Sequence, residues 1–434
     1  MERLVISGGT PLEGTVRVSG AKNGALPLLA ATVLSEGRCV LQNVPDLKDI
    51  RTLAEILREV GLSVEKTAPN TYVTRLLSEE NSVARYELVS QMRASIYLLG
   101  PLLAKRGEAR VSLPGGCVIG LRPVDLHIKG LRALGAEIEL EHGYIVARAP
   151  GGRLRGARMF LGGPNGSSVG ATANVLMAAC LADGKTIIEG AACEPEIGVL
   201  ARFLNRMGAT IEGIDTPRLV ITGVPALRGA RVTVPPDRIE AGTFMVAAAA
   251  TGGDVRIEEA PLDHLGAVVA KLREAGVEVL EEDDGLVRVR RQGPLRPVNV
   301  TTLTYPGYPT DMQAQLVAML TLADGISVVS EKIYPDRFMH CAELNRMGAQ
   351  ILKQAASAIV RGVPRLSGAD VMASDLRAGA ALVIAGLVAE GRTTVHRVYH
   401  IDRGYERIEE KFRGLGACIE RLRGTPSTTL KRAA

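Results

Sequence analysis

The sequence predicts an α/β fold of two similar lobes, each built from three repeated strand–helix units with buried central helices. The chain has 434 residues, more than the roughly 250–300 residues at which a single hydrophobic core stops growing. A helix-ending glycine motif and an apolar helix pattern each recur six times along it. Six units divide naturally into three and three, and we expect the ligand site in the cleft between the lobes.

The first repeated motif is the end of a helix, closed by a glycine and followed by an apolar alternation that starts a strand. One copy is Leu131-Arg-Ala-Leu-Gly135, which precedes Ala136-Glu-Ile138. The six glycines lie 74, 73, 68, 72 and 68 residues apart along the chain. They are Gly61, Gly135, Gly208, Gly276, Gly348 and Gly416. We expect each of them to adopt the left-handed backbone that ends a helix.

The second repeated motif is an apolar helix that ends in glycine and is followed by a β-branched strand. Its helices are apolar nearly all round, as buried helices are. They are Leu28–Gly37, Leu98–Gly107, Val175–Gly184, Phe244–Gly253, Leu316–Gly325 and Leu382–Gly391. A second helix alternates with them, for example Asp46–Val60, and is amphipathic with one charged side. This pattern predicts that the second helix covers the outer face of its unit.

The boundary between the lobes is predicted from the break between the third and fourth units. Two adjacent prolines lie there, within Val232–Pro236, and prolines of this kind mark connections. The sequence therefore predicts one lobe over residues 22–234, with the first three repeats. The second lobe covers residues 1–21 and 235–424, with the last three repeats. We expect residues 425–434 to form a disordered tail.

The composition favours small anionic ligands over nucleic acid. The 52 basic and 47 acidic residues give a net charge of only +5, without a basic run, and large basic patches are what nucleic acid requires. Aromatic residues make up 3% of the chain and Trp is absent, which leaves little on which bases could stack. We expect neither a nucleic-acid partner nor an obligate protein partner.

The chain also lacks the marks of a membrane, disulfide-bonded or metal-binding protein. Its longest apolar runs, such as Ala380–Ala389, fall short of the ~18 residues of a membrane span, and no targeting signal opens it. Six cysteines occur without CxxC pairs, and six histidines without HExxH. We therefore expect a cytoplasmic protein with no membrane association, no disulfides, no metal and no cofactor.

The stretch Ser19-Gly-Ala-Lys-Asn-Gly24 precedes the first buried helix. A small-residue turn that leads into a helix brings backbone N–H groups together with the charge of Lys22, and such an arrangement holds a phosphate or carboxylate. The alternative is an ordinary strand-to-helix turn with a solvated lysine. The stretch alone leaves both interpretations open.

Several arginines lie in apolar surroundings, namely Arg93, Arg122, Arg377 and Arg403. An arginine at the mouth of an apolar helix needs an anion, so a converging set indicates a substrate with more than one negative group. The alternative is a set of structural ion pairs with neighbouring carboxylates such as Asp375 and Asp402.

Asp311 lies just before the fifth buried helix, within "YPGYPTDMQAQL". A Thr-Asp pair in this place is typical of a helix cap. A carboxylate that instead faced the cleft from this position could act as a general base. The sequence does not separate the two roles.

Cys117 lies in the glycine loop "GGCVIG". An isolated cysteine in an apolar chain is often a small core residue, but the glycines on both sides argue against a packed helix or strand. The nearest titratable residues are Asp125 and His127. A thiol–imidazole pair is one possibility and a small core residue is the other, and the residues alone leave both open.

Six stretches together resemble one known family over essentially the whole chain. They are "SGAKNGALPLLAA", "MRASIYLLGPLLA", "LPGGCVIGLRPVDLHIKGL", "YPTDMQAQL", "DRFMHCAELNRMGA" and "YHIDRGYERIEEK". The chain resembles the UDP-N-acetylglucosamine 1-carboxyvinyltransferases, the enolpyruvyl transferases that begin peptidoglycan precursor synthesis in cell-wall formation. The resemblance implies the enolpyruvyl transferase fold, whose two lobes of three strand–helix units agree with the repeat count.

The resemblance also implies a reaction and its catalytic residues. The enolpyruvyl group of phosphoenolpyruvate is transferred to the 3-hydroxyl of UDP-N-acetylglucosamine, and phosphate is released. Cys117 matches a thiol that acts as an acid at the enolpyruvyl methylene, can form a covalent adduct with phosphoenolpyruvate and is alkylated by fosfomycin. The resemblance thus implies an acid on a mobile loop that needs no imidazole partner, so we expect His127 to have a structural role. Asp311 matches the residue that takes the proton of the attacking hydroxyl. Lys22 and Arg403 complete the implied catalytic set.

The implied binding residues fall into three groups. Lys22, Arg122 and Arg403 match positions that hold the phosphate and carboxylate of phosphoenolpyruvate, and Asn23 matches one that contacts the sugar. The nucleotide-sugar site is implied for Arg93, Arg122, Pro123, Val124, Asp125, Leu126, Ser168, Val169, Gly170, Asp311 and Ile333. Asp375, Leu376 and Arg377 match residues implicated in closure of the lobes, and Arg377 is also expected to contact substrate.

Two departures from the family pattern and two rival functions remain. Gly166-Ser167 stands where one branch of the family has a lysine beside the uridine, and Cys193 stands where arginine is usual. These changes bear on diphosphate affinity or on closure. One rival is the sister transferase that acts on shikimate 3-phosphate, a family that lacks the glycine-loop cysteine. The other is a non-catalytic nucleotide-sugar sensor, which would not need Lys22, Cys117 and Asp311 together.

Overall fold

The computed structural model describes residues 2–90, 92–113 and 124–423. The predicted site residues Cys117, Arg122 and Pro123 lie outside the described residues, as do the side chain of Arg93 and the predicted tail 425–434. The described chain separates into two units. The first unit comprises Ser19–Asp237 and Leu303–Gly307, and the second comprises the rest of the described chain.

Six four-stranded sheets form the framework of the described residues, three in each unit. All six have the same order. An edge strand pairs in parallel with its neighbour, as in the first sheet, and the remaining two pairings across the sheet are antiparallel. Each sheet with its two helices is one repeat. The predicted six-repeat α/β architecture is therefore confirmed.

The strand order across the three sheets of the first unit is Arg231–Thr233, Cys39–Gln42, Thr71–Leu76 and Leu62–Ala68; Val83–Ala84, Glu108–Ser112, Tyr144–Arg148 and Glu137–Glu141; Arg158–Phe160, Lys185–Glu189, Arg218–Thr222 and Thr210–Glu212. In the second unit the order is Glu13–Arg17, Asp254–Glu258, Val287–Arg290 and Glu278–Glu281; Val300–Thr302, Ile326–Glu331, Ser357–Arg361 and Gln350–Gln354; Asp370–Met372, Arg392–His396, Glu2–Ser7 and Cys418–Arg423. A short hairpin pairs Gly162–Gly163 with Gly166–Ser167.

Each repeat has one helix buried on nearly all sides and a second, amphipathic helix. The buried helices are Lys22–Ala31, Leu99–Arg106, Val169–Ala179, Arg238–Thr251, Gln313–Leu320 and Leu376–Val388. The amphipathic helices are Lys48–Glu59, Asp125–Ala133, Pro195–Met207, Gly266–Glu274, Met339–Arg346 and Ile408–Gly414. The short helical segments are Thr32–Leu34, Tyr86–Val89, Arg93–Leu98, Pro150–Gly152, Leu262–His264, Thr310–Met312 and Val398–Arg403. Each unit encloses its own hydrophobic core.

The distribution of apolar residues explains which helix is buried. Leu376–Val388 is apolar except for Arg377, and eleven of its residues, from Arg377 to Leu387, are buried. Lys48–Glu59 instead buries Ile50, Leu53 and Leu57 on one stripe, while its charged residues other than Asp49 lie toward solvent, as in an amphipathic surface helix. Among the described helices, none combines the length and the apolar character needed to cross a bilayer.

The six predicted helix-ending glycines all adopt left-handed backbone. Their φ angles lie between 88° and 109°, a region that residues with a Cβ enter only at a cost. Gly208 is the C-cap of its helix, and its N–H donates to the carbonyl of Asn205. The prediction that these glycines end helices and allow the next strand to start is therefore confirmed.

The repeats are not contiguous in the chain. The first sheet takes its edge strand from Arg231–Thr233, after the third repeat, and the fourth sheet takes its edge strand from Glu13–Arg17, before the first. The sixth sheet takes the strand Glu2–Ser7, which pairs antiparallel with Cys418–Arg423. The chain passes between the units near residues 18 and 237 as a result.

Arg421 ties the chain ends of the second unit together. Its guanidinium contacts Glu409 at 2.6 Å, Asp402 at 2.7 Å and Glu2 at 2.9 Å. Both carboxylate oxygens of Asp402 accept hydrogen bonds from Arg421. Asp402 is therefore part of the ionic group that joins the two chain ends. Burial alone would raise the pKa of Glu409, but the hydrogen bond and charge of Arg421 outweigh it and lower the pKa below its usual 4.5.

Replacing Arg421 by methionine is expected to lower the free energy of unfolding by about 2 kcal/mol at neutral pH, because the buried carboxylate of Glu409 loses its cation. A lowered folded-state pKa contributes stability that is present above 4.5 and lost as the pH falls through the lowered value. The deficit of the variant should therefore shrink in acid, as measured by urea unfolding across that range. Arg423→Met is the control, since Arg423 is 89% exposed. Equal deficits at all pH values would contradict this role of Glu409.

Candidate active site

Lys22 is the first residue of the helix Lys22–Ala31 and is only 6% exposed. Its Nζ lies 2.7 Å from Oδ2 of Asp49, a buried carboxylate in the first turn of the next helix. Its backbone N–H donates to Oδ2 of Asp237 over 3.4 Å. The alternative of a solvated lysine is therefore wrong, because this ammonium is buried with a carboxylate as counterion.

The turn before Lys22 is fixed by close backbone contacts. Gly20 pairs with Pro236 as an isolated bridge, and a Cβ at position 20 would overlap the carbonyl oxygen of Asn43. The N–H of Ala21 donates to the carbonyl of Pro235 over 2.7 Å. An ammonium has three N–H donors, so Asp49 can orient Lys22 while another donor binds a ligand oxygen. The half-buried Asn23 follows in the same helix.

Ser168, Val169 and Gly170 form the start of the helix Val169–Ala179. The Ser168 hydroxyl accepts from the N–H of Ala171 over 3.3 Å and caps this helix, which satisfies one of the N–H groups left open at a helix start. All three residues are half-buried. The structure thus places these three predicted residues together at one helix start.

His127 connects this helix to the preceding one. Its Nδ1 lies 2.8 Å from Nδ2 of the buried Asn174, whose Oδ1 accepts from the N–H of Gly100 over 2.8 Å. The amide nitrogen therefore faces the ring, so Nδ1 of His127 accepts and the ring proton is on Nε2. His127 is 5% exposed, and a Cβ at Gly170 would lie 3.0 Å from its ring. This position is consistent with the structural role predicted for His127.

Val124, Asp125 and Leu126 begin the helix Asp125–Ala133, with Val124 as its N-cap. Asp125 is exposed and Leu126 is half-buried. The Leu126 side chain packs against the glycine hairpin, because a Cβ added at Gly163 would lie 3.1 Å from its Cδ1. The described part of the predicted run Arg122–Leu126 therefore borders this hairpin in the first unit.

The two departures from the family pattern lie in the first unit. Gly166 has a φ angle of 92°, and a Cβ there would lie 2.8 Å from Cγ2 of Thr304, so the backbone favours glycine. Cys193 is half-buried, and burial with the nearby charges of Glu194 and Asp215 raises the pKa of its thiol. Neither position supplies a positive charge.

Asp311 lies in the second unit between two buried arginines. Its Oδ1 accepts from Nη1 of Arg337 over 2.8 Å, and its Oδ2 accepts from Nη2 of Arg377 over 3.3 Å. The arginine side chains are 4% and 1% exposed, whereas that of Asp311 is 26% exposed. The cap position of the following helix is Met312, so the interpretation of Asp311 as its cap is wrong. The carboxylate is the accessible end of an otherwise buried ionic group.

Arg377, the second arginine that contacts Asp311, lies against an aromatic ring and near the start of a helix. The guanidinium of Arg377 lies over the ring of Tyr405, 5.1 Å from its centroid. Asp375 caps the helix that begins at Leu376, because its Oδ1 accepts from the N–H groups of Arg377 and Ala378. An ion pair of Arg377 with the neighbouring Asp375 was the alternative considered from the sequence, but the guanidinium contacts Asp311, 66 residues away.

His340 is buried next to the same group. Burial lowers the pKa of His340 to about 4, the charge of Arg337 acts in the same direction, and Asp375 opposes it. His340 is therefore neutral at physiological pH. Burial also opposes the charge of Arg337, but Asp311 and Asp375 outweigh it and raise the pKa of the guanidinium. Arg337 thus stays charged beside the Asp311 carboxylate.

Ile333 is held by a buried carboxylate. Its backbone N–H donates to Oε1 of Glu331 over 2.8 Å, and Glu331 is 1% exposed. Arg403 ends the short helix Val398–Arg403 and is 9% exposed. Leu376 packs against Gly404, the next residue. The structure therefore brings Leu376 close to the chain at Arg403.

The predicted site residues are thus divided into two sets, one in each unit. The first contains Lys22, Asn23, Val124, Asp125, Leu126, Ser168, Val169 and Gly170, and the second contains Asp311, Ile333, Asp375, Leu376, Arg377 and Arg403. The sequence did not identify the residues that hold Lys22, Asp311 and Ile333 in place, namely Asp49, Arg337 and Glu331. The sequence signal that could have indicated one of them is the stretch "DRFMHCAELNRMGA", which contains Arg337. In the described part of the chain, no group of His, Cys, Asp or Glu is arranged to hold a metal ion.

Comparison with known proteins identifies the class of this fold. Residues 6–412 match the sequence profile of the EPSP synthase (3-phosphoshikimate 1-carboxyvinyltransferase) family. The enolpyruvyl transferase NikO from Streptomyces tendae superposes with a TM-score of 0.87 at 27% identity, over 97% of this chain and 98% of that one. An EPSP synthase from Acinetobacter baumannii superposes with a TM-score of 0.73 at 19% identity, over 98% and 100%. The architecture is therefore the enolpyruvyl transferase fold.

Two relatives that align over nearly their whole length identify the family within this class. A UDP-N-acetylglucosamine 1-carboxyvinyltransferase from Methylacidiphilum infernorum is 55% identical over 97% of this chain and 99% of its own. One from Gluconacetobacter diazotrophicus is 56% identical over 98% of this chain and 100% of its own. This chain belongs to the UDP-N-acetylglucosamine 1-carboxyvinyltransferase family, and the family resemblance of its motifs is confirmed.

Proposed function

We propose that this chain transfers the enolpyruvyl group of phosphoenolpyruvate to the 3-hydroxyl of UDP-N-acetylglucosamine, with release of phosphate, in peptidoglycan precursor synthesis. The observation that carries the proposal is the Asp311 carboxylate, held by two buried arginines and still accessible, in a chain whose full-length relatives bear the name of this activity. A cytoplasmic location stays a prediction.

Asp311 is the general base of this proposal. A hydroxyl that attacks carbon must lose its proton, and a carboxylate at hydrogen-bond distance can accept it. Arg337 and Arg377 hold both carboxylate oxygens, and two cations favour the ionised form that a base requires. Ile333 contributes to the nucleotide-sugar site from the same unit.

Lys22, Arg122 and Arg403 bind the phosphate and carboxylate of phosphoenolpyruvate. The buried position of Lys22 beside Asp49 supports this role, because a charge fixed in a poorly solvated place interacts strongly with an anion. The same cations stabilise the dianionic phosphate as it leaves. Asn23, Arg93, the run Arg122–Leu126 and the helix start at Ser168, Val169 and Gly170 bind the nucleotide sugar.

The chemistry requires an acid as well as a base. Protonation of C3 of phosphoenolpyruvate by the Cys117 thiol makes C2 electrophilic, the sugar hydroxyl forms the new C–O bond there, and Asp311 takes the hydroxyl proton. Loss of a proton from C3 then restores the double bond as the C2–O bond to phosphate breaks. Asp375, Leu376 and Arg377 are proposed to act in the closure that excludes water.

The experiment that tests the function is a phosphate-release assay on the purified protein. We expect release only when phosphoenolpyruvate and UDP-N-acetylglucosamine are both present, together with the enolpyruvyl ether of the sugar nucleotide by mass spectrometry. Activity with shikimate 3-phosphate in place of the nucleotide sugar would favour the sister transferase. Tight binding of UDP-N-acetylglucosamine without any product would favour a sensor.

We expect fosfomycin to label Cys117. Its epoxide alkylates a nucleophilic thiol, and Cys117 is the thiol that is proposed to act on the bound substrate. Burial raises the pKa of Cys180 and of Cys341 to about 12, so these thiols are poor nucleophiles. The measurement is peptide mass spectrometry after incubation with UDP-N-acetylglucosamine.

Two controls make the labelling experiment specific. Cys117→Ser should take up no fosfomycin, while a general thiol reagent should still label Cys418, which is exposed. Fosfomycin on Cys418 or Cys193 but not on Cys117 would contradict the role given to the glycine-loop thiol.

A further inference from the structure

Glu331 is a buried carboxylate whose hydrogen bonds all come from uncharged donors. Its Oε1 accepts from the Thr302 hydroxyl over 2.6 Å and from the N–H groups of Ile333 and Tyr334 over 2.8 and 2.9 Å. Its Oε2 accepts from the Thr310 hydroxyl over 2.9 Å. Burying a carboxylate costs several kcal/mol unless it is well hydrogen-bonded. Its four hydrogen bonds offset this cost and fix the position of the carboxylate.

Thr310 connects Glu331 to the ionic group of Asp311. Its Oγ1 lies 3.1 Å from Nη1 of Arg337, and the same nitrogen donates to Oδ1 of Asp311 over 2.8 Å. A guanidinium can only donate, and a hydroxyl has one proton. The Thr310 hydroxyl must therefore accept a hydrogen bond from Arg337 and donate a hydrogen bond to Glu331. Glu331, Thr310, Arg337 and Asp311 thus form one chain of hydrogen bonds. Because Glu331 can only accept, it determines which way the Thr310 hydroxyl donates.

We propose that Glu331 and Thr310 are positioning residues of the transferase, which fix Arg337 and through it the Asp311 carboxylate. The proposal rests on the function proposed above, in which Asp311 is the base. The Glu331 carboxylate also fixes the backbone N–H of Ile333. One buried side chain thus sets both the base and a segment that is proposed to contact the nucleotide sugar.

The exposure of these side chains supports a role in the site. Glu331 is 1% exposed and the Arg337 side chain 4% exposed, whereas the side chain of Asp311 is 26% exposed. The Glu331 and Arg337 side chains are therefore closed to a ligand, whereas the Asp311 carboxylate is accessible. The Gln315 amide donates to the carbonyl of Asp311 over 2.8 Å and to the Tyr405 hydroxyl over 3.1 Å, which holds the Asp311 backbone in place.

The test compares Thr310→Val with Thr310→Ser by steady-state kinetics of phosphate release. Valine keeps the shape of threonine without its hydroxyl, and serine restores the hydroxyl. We expect Thr310→Val to lower kcat roughly tenfold, as the loss of a hydrogen bond to a charged group does, with KM for UDP-N-acetylglucosamine changed less than threefold. Thr310→Ser should stay within about twofold of wild type. The half-buried position of Thr310 makes both variants compatible with folding, which thermal unfolding checks.

A second variant tests the other end of the chain of hydrogen bonds. Glu331→Gln replaces the acceptor at Oε2 by an amide donor, so the Thr310 hydroxyl loses its proton acceptor. We expect a fall in kcat similar to that of Thr310→Val, and no further loss in the double variant, because both changes break the same path. Additive losses of kcat in the double variant would contradict a shared path from Glu331 through Thr310 to Arg337.

The two proposals fail in different ways. A wild-type protein without phosphate release would overturn the proposed function. An active wild type with equal kcat in Thr310→Val and Thr310→Ser would overturn only the positioning role. A rise in KM at unchanged kcat would overturn it as well, since a displaced base must slow the chemical step.

Discussion

Asp311→Asn is expected to lower kcat by about 10²–10⁴-fold, the usual contribution of a general base, while the protein remains folded. Asparagine has the shape of aspartate and keeps one oxygen acceptor for Arg337 or Arg377, but it cannot take the proton of the attacking hydroxyl. The lost charge also leaves two buried guanidinium groups with less compensation, so thermal unfolding should occur at a lower temperature. The measurement is phosphate release at saturating concentrations of both substrates.

Asp336→Asn is the matched control for that change. Asp336 is a nearby carboxylate whose side chain is 80% exposed, and its contact with Lys353 is a surface ion pair at 3.6 Å. Such pairs contribute little, so we expect unchanged kcat and an unchanged melting temperature. If Asp311→Asn kept kcat within about fivefold of wild type, another group would have to be the base.

The repeated architecture could be predicted from the sequence because its signals are local. A left-handed glycine ends a helix whatever the rest of the chain does, and six of them at a regular spacing define six repeats. The exchange of edge strands was not predictable in the same way. Glu13–Arg17 and Arg231–Thr233 occupy equivalent places in two sheets, and no local pattern tells a strand which distant neighbour it will join.

The candidate site was predictable at the level of residue types and motifs, but the partners of its charges were not. The Arg377 guanidinium contacts Asp311, which is far away in the chain, although Asp375 is two residues away. Asp49 and Glu331 are buried carboxylates, and in a sequence they look like any other acidic residue of a helix start or a strand end. Burial decides whether a charge needs a partner, and burial is set by packing over long distances.

Asp49→Asn is expected to lower the free energy of unfolding by about 3 kcal/mol, because it leaves the Lys22 ammonium buried without its counterion. The two side chains are 8% and 4% exposed and lie 2.7 Å apart. Urea unfolding without substrates measures the loss. Asp46→Asn is the matched control three residues earlier in the chain, since Asp46 contacts Arg51 and Lys66 in pairs near the surface and should cost less than about 1 kcal/mol.

The same pair of variants also tests the ligand role of Lys22. If this ammonium binds the phosphate of phosphoenolpyruvate, the ligand should replace the missing carboxylate as a counterion and recover part of the stability lost in Asp49→Asn. We expect phosphoenolpyruvate to raise the melting temperature of Asp49→Asn more than that of Asp46→Asn or wild type at the same concentration. An equal rise in all three proteins would mean that the ligand does not act on Lys22, and that the Lys22–Asp49 pair only stabilises the start of the first helix.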